Sequence, residues 1–384
     1  MPRTAAEPKA APTRPTIYDV AKRARVSTAT VSKVLRGVTT VGSDNSARVE
    51  AAVRALDYRS DPLAANLRRN TRNIAGLIVP DFRNPFFGAL VASIEKHAEA
   101  SGYRLVTVSS GEDDMAERRQ IEALLDWRVA GILLVPHSNA SFAGKRLKQK
   151  GVPLVLLDRV ARSRDFDGIG VDNARSSHAM VRRFHELGHR KLLVAISSPS
   201  VPNMAERLAG VRKAAEASGR MDIEILECGT HGQDDASRAM AKRFSRGSTP
   251  RAIFALFNPA TLAALKEIAR RGLRVPEDVS LAGFDDFEWM QVMHPPVAAV
   301  VQPVESLAEA AWARLMTRIA DPRGEKSRIE LPCIVEFRES LAEASGKPVN
   351  HHAARGRSAQ TVDRSNGSAI RAKLNNRLHS GGPL

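Results

Sequence analysis

The sequence predicts an N-terminal, all-α helix-turn-helix head followed by an α/β core of two lobes, each built on a parallel, doubly wound sheet. Three observations predict this fold class. Two short helical patterns separated by a turn lie within residues 16–37. From residue 73 onward, short apolar runs alternate with amphipathic segments of helix length. A polar loop at 159–168 interrupts this alternation half-way along, which favours two similar lobes over one very large sheet.

The first helix of the head is predicted over residues 17–24. Its apolar side chains recur at i, i+3, i+4 and i+7, so they share one helical face. They are Ile17, Val20, Ala21 and Ala24. After the turn, Ser27 is predicted to cap the next helix, because its hydroxyl can accept from a backbone N–H group that has no partner within the helix.

The second and third helices complete a head of about fifty residues. Their apolar stripes are Val31, Val34 and Leu35, and then Val49, Val53 and Leu56 after the polar pair Ser43-Asp44. The outward or N-terminal residues of the second helix are Thr28, Ala29, Thr30 and Lys33. This order predicts a DNA-binding helix-turn-helix whose second helix is the recognition helix. An ordinary small helical bundle without a role on DNA is the alternative.

Charge is concentrated at the two ends of the chain. Residues 1–72 hold 14 Lys or Arg against 6 Asp or Glu, and residues 345–384 hold 7 against 1, within a formal net charge of +16. The middle of the chain is therefore close to neutral. A cationic head on a near-neutral body suits a protein that docks its N-terminal unit on DNA phosphates.

Composition narrows the class further. With 43% hydrophobic residues the chain can bury a sizeable core, and at 384 residues it is expected to form two or three folding units. No apolar run approaches the ~20 residues of a membrane span, and no secretory signal begins the sequence. Cys228 and Cys333 are too few for a disulfide framework. A soluble, cytoplasmic protein without a membrane partner is expected.

The core shows eight apolar runs predicted as strands, with helices between most of them. The predicted strands are 74–79, 105–108, 131–135, 154–157, 192–196, 223–226, 253–257 and 279–283. The predicted helical segments are 87–100, 114–127, 174–187, 204–218 and 259–271. Ligands of such sheets bind at the carboxyl ends of the strands, so the loops after these runs are the expected site.

Seven motifs occur in an order that resembles one family of proteins. They are T-I-Y-D-V-A-K-R-A-x-V-S-T-A-T-V-S-K-V-L at 16–35, P-L-A-A-N-L-R at 62–68, N-P-F-F at 84–87, L-D-R at 157–159, R-L-A-G at 207–210, V-P-E-D-V-S-L-A-G-F-D-D at 275–286 and Q-P at 302–303. Each alone is common, but together they make residues 16–340 resemble the LacI/GalR family of bacterial transcriptional regulators.

The resemblance implies a DNA-binding head, a hinge helix and a dimerising core like that of periplasmic sugar-binding proteins. The expected ranges are 1–14 disordered, 15–61 head, 62–72 hinge helix, 73–340 core and 341–384 a basic disordered tail. Within the core, lobe 1 is expected at about 73–160 and 292–321, and lobe 2 at about 161–291 and 322–340.

The resemblance also assigns roles on DNA. Thr28, Ala29 and Lys33 match positions that contact base edges in the major groove. Residues expected to contact phosphate are Tyr18, Ser27, Thr30 and Ser32. Thr30 and Ser32 could instead be plain helix surface.

Asp61-Pro62 predicts a short hinge helix, since an N-cap followed by proline is a helix start. By resemblance, Leu67 is the wedge that enters the minor groove and kinks the duplex, and Arg68 reaches phosphate or the groove floor. A plain linker over residues 60–72 is the alternative.

The same resemblance places a small-molecule effector between the lobes. Asn84-Pro85 starts a helix at the cleft, and Phe86 or Phe87 can stack on a ring, although core packing is the alternative for at least one of them. Arg207 and Asp285 match the positions that most often hold polar effectors, unless they form a structural salt bridge. Weaker candidates are Asp158, His231 and Asn258. Val201 replaces a residue that is polar in purine-binding members, so a sugar or polyol is expected rather than a nucleobase.

Competing classes of function carry weaker signals. His185-Glu186-Leu187-Gly188-His189 fits the H-E-x-x-H zinc-protease pattern, but Gly188 is expected to end the helix before the second histidine. A dinucleotide-binding enzyme would need G-x-G-x-x-G or a P-loop, which the sequence lacks. The expectation is therefore a dimeric repressor that binds a pseudo-palindromic operator, without catalytic activity, metal or cofactor. An α/β enzyme or metal-dependent hydrolase with an accessory DNA-binding head is the alternative.

Overall fold

The computed structural model describes residues 15–35, 38, 40–58, 73–160, 165–219 and 221–344, in two compact units, Met1–Asn73 and Ile74–Leu384. The predicted hinge helix at 62–72, with Leu67 and Arg68, lies outside the described residues, as do residues 1–14 and most of the predicted tail. Among the described residues, no helix combines the length and apolar character needed to cross a membrane.

The head is a cluster of three helices, α1 (Ile17–Ala24), α2 (Thr28–Leu35) and α3 (Ser43–Ala55). The predicted bounds of α1 are confirmed. The Ser27 hydroxyl accepts from the backbone N–H of Thr30 at 3.1 Å, which confirms the predicted cap. The carboxylate of Asp19 accepts from both the N–H and the hydroxyl of Thr16 at 2.7 Å, so hydrogen bonds from Thr16 lower the pKa of Asp19. The buried core of the head is Val20, Ala21, Ala24, Val31, Val49, Ala52 and Tyr58.

Among the described residues, the second unit contains two sheets, as the sequence predicts, and each has six strands where eight in all were predicted. Lobe 1 has the strand order β11-β5-β4-β3-β1-β2, in which every pairing is parallel. Its elements are β1 (Ile74–Val79), α4 (Pro85–Ala100), β2 (Arg104–Ser109), α5 (Asp114–Asp126), β3 (Ile132–Leu134), α6 (Ser141–Lys150), β4 (Leu154–Leu157), β5 (Asp167–Val171), α12 (Val304–Ala320) and β11 (Arg328–Leu331).

Lobe 2 has the strand order β12-β10-β9-β8-β6-β7, parallel except for the antiparallel edge strand β12. Its elements are α7 (Asn173–Glu186), β6 (Lys191–Ile196), α8 (Pro202–Ala217), β7 (Asp222–Glu227), α9 (Gln233–Phe244), β8 (Ala252–Ala255), α10 (Asn258–Arg270), β9 (Ser280–Phe284), α11 (Glu288–Val292), β10 (Ala298–Val301) and β12 (Ile334–Glu336). The chain thus crosses between the lobes three times, after β5, β10 and β11.

The predicted bounds of the lobes are wrong in three places. β5 and β11 are expected in lobe 2, but β5 pairs with both β11 and β4 in lobe 1. β10 was expected in lobe 1 but pairs with β9 in lobe 2. The expected tail also begins too early, because the backbone N–H groups of Ala342 and Ala344 donate to Ser280 Oγ at 3.1 Å and Leu187 O at 2.7 Å.

The helices α7 and α8 approach each other closely at Gly210. A Cβ atom placed on Gly210 would lie 2.0 Å from the carbonyl oxygen of Ala174, which no real side chain tolerates. Gly210 is the glycine of the R-L-A-G motif, so the motif sets the distance between two helices as well as supplying Arg207. This close packing fixes the N-terminal part of α8, from which Asn203 and Arg207 reach the cleft.

Candidate DNA-binding surface and ligand cleft

The predicted DNA-contacting residues lie on or next to α2, on the surface of the head. The side chains of Ala29 and Lys33 are exposed, and Tyr18 of α1 is 74% exposed although it is a large aromatic residue. Thr28, Thr30 and Ser32 are half-buried, and Ser27 is exposed. This arrangement suits contact with a duplex, and the individual base and phosphate roles stay predictions.

The hydroxyls of Ser27 and Thr30 are bonded to each other at 2.9 Å. One of the two hydrogens is used in that bond, so the pair retains one hydroxyl hydrogen for a phosphate oxygen. We therefore expect these two residues to make one phosphate contact together, and not two independent ones.

A cleft between the two lobes of the core contains about 600 Å³ of space free of protein atoms, part of it open to solvent. Its walls are the loops at the carboxyl ends of strands and the first turns of helices from both lobes, where ligands of parallel sheets bind. Lobe 1 lines it with Asp81, Asn84, Phe86, Phe87, Glu112, Asp158 and Arg159. Lobe 2 lines it with Ser197, Asn203, Met204, Arg207, Thr230, Gly232, Phe257, Pro259, Asp285 and Gln302.

Arg207 is fixed at the floor of this cleft with only 2% of its surface exposed. Its Nε donates to Asn173 Oδ1 at 2.8 Å, and a terminal nitrogen donates to the carbonyl oxygen of Leu256 at 2.6 Å. The guanidinium carbon lies 3.3 Å from the centroid of the Phe284 ring. Among the described residues no ion pair joins Arg207 to Asp285. The two side chains therefore do not form the structural salt bridge that was the alternative to a role in ligand binding.

Two buried carboxylates face Arg207. Burial raises the pKa of Asp158 to about 6, although Arg207 and Arg159 act in the opposite direction. Burial also raises the pKa of Asp285, again against the attraction of Arg207. Both residues have left-handed backbone conformations, with φ of 60° and 73°, which cost free energy and recur at functional sites.

Each of these carboxylates accepts a hydrogen bond from one amide side chain. Asn203 Nδ2 of lobe 2 donates to Asp158 Oδ2 of lobe 1 at 3.0 Å, so this bond crosses the cleft. Gln302 Nε2 donates to Asp285 Oδ1 at 2.6 Å. Since the amide nitrogens face the carboxylates, the amide oxygens are left for a ligand.

Arg159 forms a bidentate ion pair with Glu112, in which both N···O distances are 2.7 Å. His137 Nδ1 lies 3.1 Å from the same carboxylate. Burial raises the pKa of Glu112, but hydrogen bonds from Arg159 and His137 outweigh burial and lower it to about 2. The Glu112 hydrogen bond in turn raises the pKa of His137. This cluster forms a rigid, charged wall of lobe 1.

Five of the seven predicted effector residues line the cleft: Phe86, Phe87, Asp158, Arg207 and Asp285. Both phenylalanines also belong to the buried core of lobe 1, with 4% and 3% exposure. Asn84 caps α4 by accepting from the Phe86 N–H at 3.1 Å, as predicted.

The other two predicted residues do not line the cleft. His231 was expected there, but its side chain is 77% exposed and its Nδ1 lies 3.1 Å from Asp235 Oδ2. Asn258 is buried between two lining residues, Phe257 and Pro259, without lining the cleft itself. The local reason is that α9 and α10 begin next to these residues and direct their side chains into helix-start contacts or the lobe interior.

Sequence reasoning missed several lining residues. Arg159 and Gln302 were visible within the L-D-R and Q-P motifs, and Asn203 lies one helical turn before Arg207. Glu112 gave no signal, because it is the first of three consecutive acidic residues in a polar segment and reaches Arg159 only through the fold.

The zinc-protease pattern is not on one helix. As predicted, α7 ends at Glu186, and Gly188 follows with φ of 84°. His189 is buried and its Nε2 lies 3.0 Å from the carbonyl oxygen of Ala342. Among the described residues no cluster of three potential metal ligands occurs.

The raised pKa of Asp158 predicts a pH dependence of stability. The folded protein binds this proton more tightly than the unfolded chain, so the stabilisation is present below the unfolded pKa of 3.8 and is lost as pH rises through about 6. Relative to the Asp158→Asn variant, we expect the wild type to lose about 2 kcal/mol of unfolding free energy between pH 4 and pH 7. Urea unfolding of both proteins across this range measures the difference. A constant difference would show that folding does not raise the pKa of Asp158.

A helix-turn-helix head and a two-lobed core with a polar interlobe cleft define the class of ligand-responsive DNA-binding regulators. Residues 16–61 match the family described as bacterial regulatory proteins, lacI family, and residues 181–341 match the periplasmic binding protein-like domain. The HTH-type transcriptional regulator PtxS of Pseudomonas putida is 30% identical over 332 residues, which cover 85% of this chain and 96% of PtxS. The chain belongs to the LacI family of bacterial transcriptional regulators.

Solved structures agree on the fold. The transcriptional regulator CelR in complex with cellobiose superposes with a TM-score of 0.63 at 26% identity, covering 85% of this chain and 100% of CelR. The lac repressor dimer bound to operator and the anti-inducer ONPF superposes with a TM-score of 0.75 at 24% identity, covering 86% of this chain and 100% of the repressor chain.

Proposed function

We propose that this LacI-family regulator is a repressor that binds a pseudo-palindromic operator as a dimer and changes its operator affinity when a sugar-like effector occupies the interlobe cleft. The protein acts by binding and not by catalysis, in the cytoplasm, where the chromosome is. The observation that carries the proposal is the cleft itself, whose polar groups come from both lobes. A ligand there contacts both lobes at once and so favours one relative orientation of them.

Two cross-lobe contacts support this coupling. Asn203 of lobe 2 donates to Asp158 of lobe 1 inside the cleft. A second contact joins the lobes where Arg328 of β11 donates to Glu206 of α8 at 2.9 Å. Both contacts depend on the lobe orientation, so a ligand that alters it changes the energy of these contacts. CelR was solved with cellobiose and the lac repressor as a dimer on its operator, which supports the effector class and the assembly proposed here.

The direct test is linkage between DNA and effector. An operator is first selected from random duplex DNA with the full-length protein, and its affinity is then measured with and without sugars, polyols and nucleobases. A true effector changes operator affinity, and operator must change effector affinity by the same factor. Turnover of a compound by the purified protein, without an effect on DNA binding, would support the enzyme alternative.

Lys33→Ala is expected to weaken specific operator binding about tenfold or more, since a good base contact is worth roughly 1–3 kcal/mol. Because the predicted contact is to a base edge, non-specific binding should fall little. Fluorescence anisotropy on selected operator and on random duplex, over a salt series, measures both. Lys266→Ala, which removes an exposed lysine from α10 of lobe 2, is the control. Equal weakening on both DNAs would instead make Lys33 a phosphate contact.

A further inference from the structure

The cleft contains buried hydrogen-bonding atoms that no protein group satisfies. Asp158 Oδ1, Asn203 Oδ1 and Gln302 Oε1 are acceptors without a partner among the described residues. Their side chains are between 3% and 7% exposed, and all three line the cleft. An unpaired buried acceptor costs about 1–3 kcal/mol, so these three atoms indicate where a ligand supplies hydrogen-bond donors.

The two arginines of the cleft are already committed to protein groups. Both terminal nitrogens of Arg159 donate to Glu112, and Arg207 donates to Asn173 and to the Leu256 carbonyl while it lies against Phe284. Arg159 is therefore not free to offer the bidentate hydrogen bonds that bind a carboxylate or phosphate, and the N–H groups that Arg207 retains lie in the field of the carboxylates of Asp158 and Asp285. Of their buried nitrogens, Arg159 Nε is the one left without a partner.

Charge in the cleft also disfavours an anion. Of the four carboxylates among the described lining residues, Glu112 is paired with Arg159 and Asp81 with Arg83, so Asp158 and Asp285 remain to face Arg207. Helix N-termini at the cleft carry about half a positive charge each, which would attract an anion to a site without carboxylates. Here Asp158 and Asp285 are already buried in the cleft, so an anionic ligand would bury a third negative group beside them.

We propose that the effector is an uncharged polyhydroxy compound whose hydroxyl groups donate to Asp158, Asn203 and Gln302 and accept from Arg159 Nε, and that the cleft rejects sugar acids and sugar phosphates. This inference rests on the proposed function and adds the charge class of the ligand. A hydroxyl both donates and accepts, so it can satisfy the three acceptors and the one donor. An ammonium group only donates, so it cannot also accept from Arg159 Nε.

The test uses the full-length protein and matched sugars that differ in charge. The probes are glucose, galactose, ribose and cellobiose, the aldonic acid of each, the terminal phosphates of the three monosaccharides, glucosamine, and adenine with adenosine. Isothermal titration calorimetry measures binding, and anisotropy on selected operator measures the effect on DNA. We expect one uncharged sugar to bind at least 100-fold more tightly than its acid and its phosphate.

Variants of the cleft provide a second measurement. The same substitution should change the affinity for an uncharged sugar and the affinity for an anionic effector in opposite directions. Asp158→Asn removes one negative charge and one acceptor, so affinity for the uncharged sugar should fall about tenfold, whereas affinity for an anionic effector would rise. Asp126→Asn, at an exposed position at the end of α5, is the matched control and should change neither. Thermal melting confirms that both variants are folded.

The outcomes separate the two claims. Tighter binding of an acid, a phosphate, glucosamine or a nucleobase, with an effect on operator affinity, overturns this inference and leaves the proposed function intact. Tighter affinity for the effector in the Asp158→Asn variant overturns it as well. If no probe binds and none alters operator affinity, the proposed effector function fails and this inference fails with it.

Discussion

Replacing Arg207 with alanine should abolish the effector response while leaving operator binding intact. The substitution leaves Asn173 Oδ1 and the Leu256 carbonyl without their buried donor and removes the positive charge that faces Asp158 and Asp285. Breaking such a buried charged network costs about 3–5 kcal/mol. We expect effector affinity to fall at least 100-fold, equivalent to roughly 2.7 kcal/mol. Operator affinity in the absence of effector should change less than twofold.

The measurements are calorimetry with the effector and anisotropy on the operator with and without it. Arg212→Ala removes an exposed arginine from the same helix and should leave both unchanged. Arg207→Lys keeps the charge but cannot hold two acceptors with a planar fork, so it should recover only part of the affinity. An effector response retained in Arg207→Ala would mean that the ligand binds elsewhere.

Replacing Gly210 with alanine should destabilise the core by about 3 kcal/mol or more, because overpacking at a backbone contact cannot be relieved by rotating a side chain. The added methyl group would meet Ala174 O at 2.0 Å and Ala174 C at 2.7 Å. To fit it, α7 and α8 must separate, and α8 carries Asn203 and Arg207 into the cleft. Loss of stability should therefore be accompanied by weaker effector binding.

Gly88→Ala is the matched control. Gly88 also lies within a helix, α4, but a Cβ atom there meets nothing within 4 Å. Since alanine favours helix over glycine by about 1 kcal/mol, this variant should be as stable as the wild type or more stable. Urea unfolding compares the two. Similar effects of both substitutions would show that helix propensity, and not the approach of Ala174, decides the result at Gly210.

Much of the fold could be predicted from the sequence because neighbouring residues are enough to specify the helices and strands concerned. The apolar periodicity of residues 17–24 gave α1 with its observed bounds, and the runs at 74–79 and 154–157 gave β1 and β4 likewise. These segments are bounded by turn residues and consist largely of apolar side chains, so neighbouring residues suffice to define them.

β5, which was not among the predicted strands, lacks such a local signal. β5 reads Asp-Gly-Ile-Gly-Val, in which two glycines weaken any strand propensity. It forms because it is inserted between β4 and β11, and β11 lies about 160 residues further along the chain. The wrong lobe bounds followed from this, since membership of a sheet depends on the partner strand and not on the segment itself.

The candidate site also contains residues that the sequence predicted and residues that only the fold brings together. Arg207, Asp285 and Phe86 were found through motifs, and the structure places them at one cleft. The structure does not place His231 at the cleft, because a resemblance in sequence does not state which way a side chain faces, and here the ring is exposed beside Asp235. The Glu112–Arg159–His137 cluster unites three loops and could not be read from any one of them.

The sequence by itself determined the helix-turn-helix, the α/β alternation and the family, because local periodicity, capping and motif order are properties of short stretches of chain. The tertiary structure alone decided which strands belong to which lobe and which polar atoms are left unpaired in the cleft. Strand pairing and burial join residues more than a hundred positions apart, and pKa values and hydrogen-bond demands arise only once those residues exclude water together. The effector's identity is therefore constrained by Asp158, Asn203 and Gln302 acting together, and by no one of them alone.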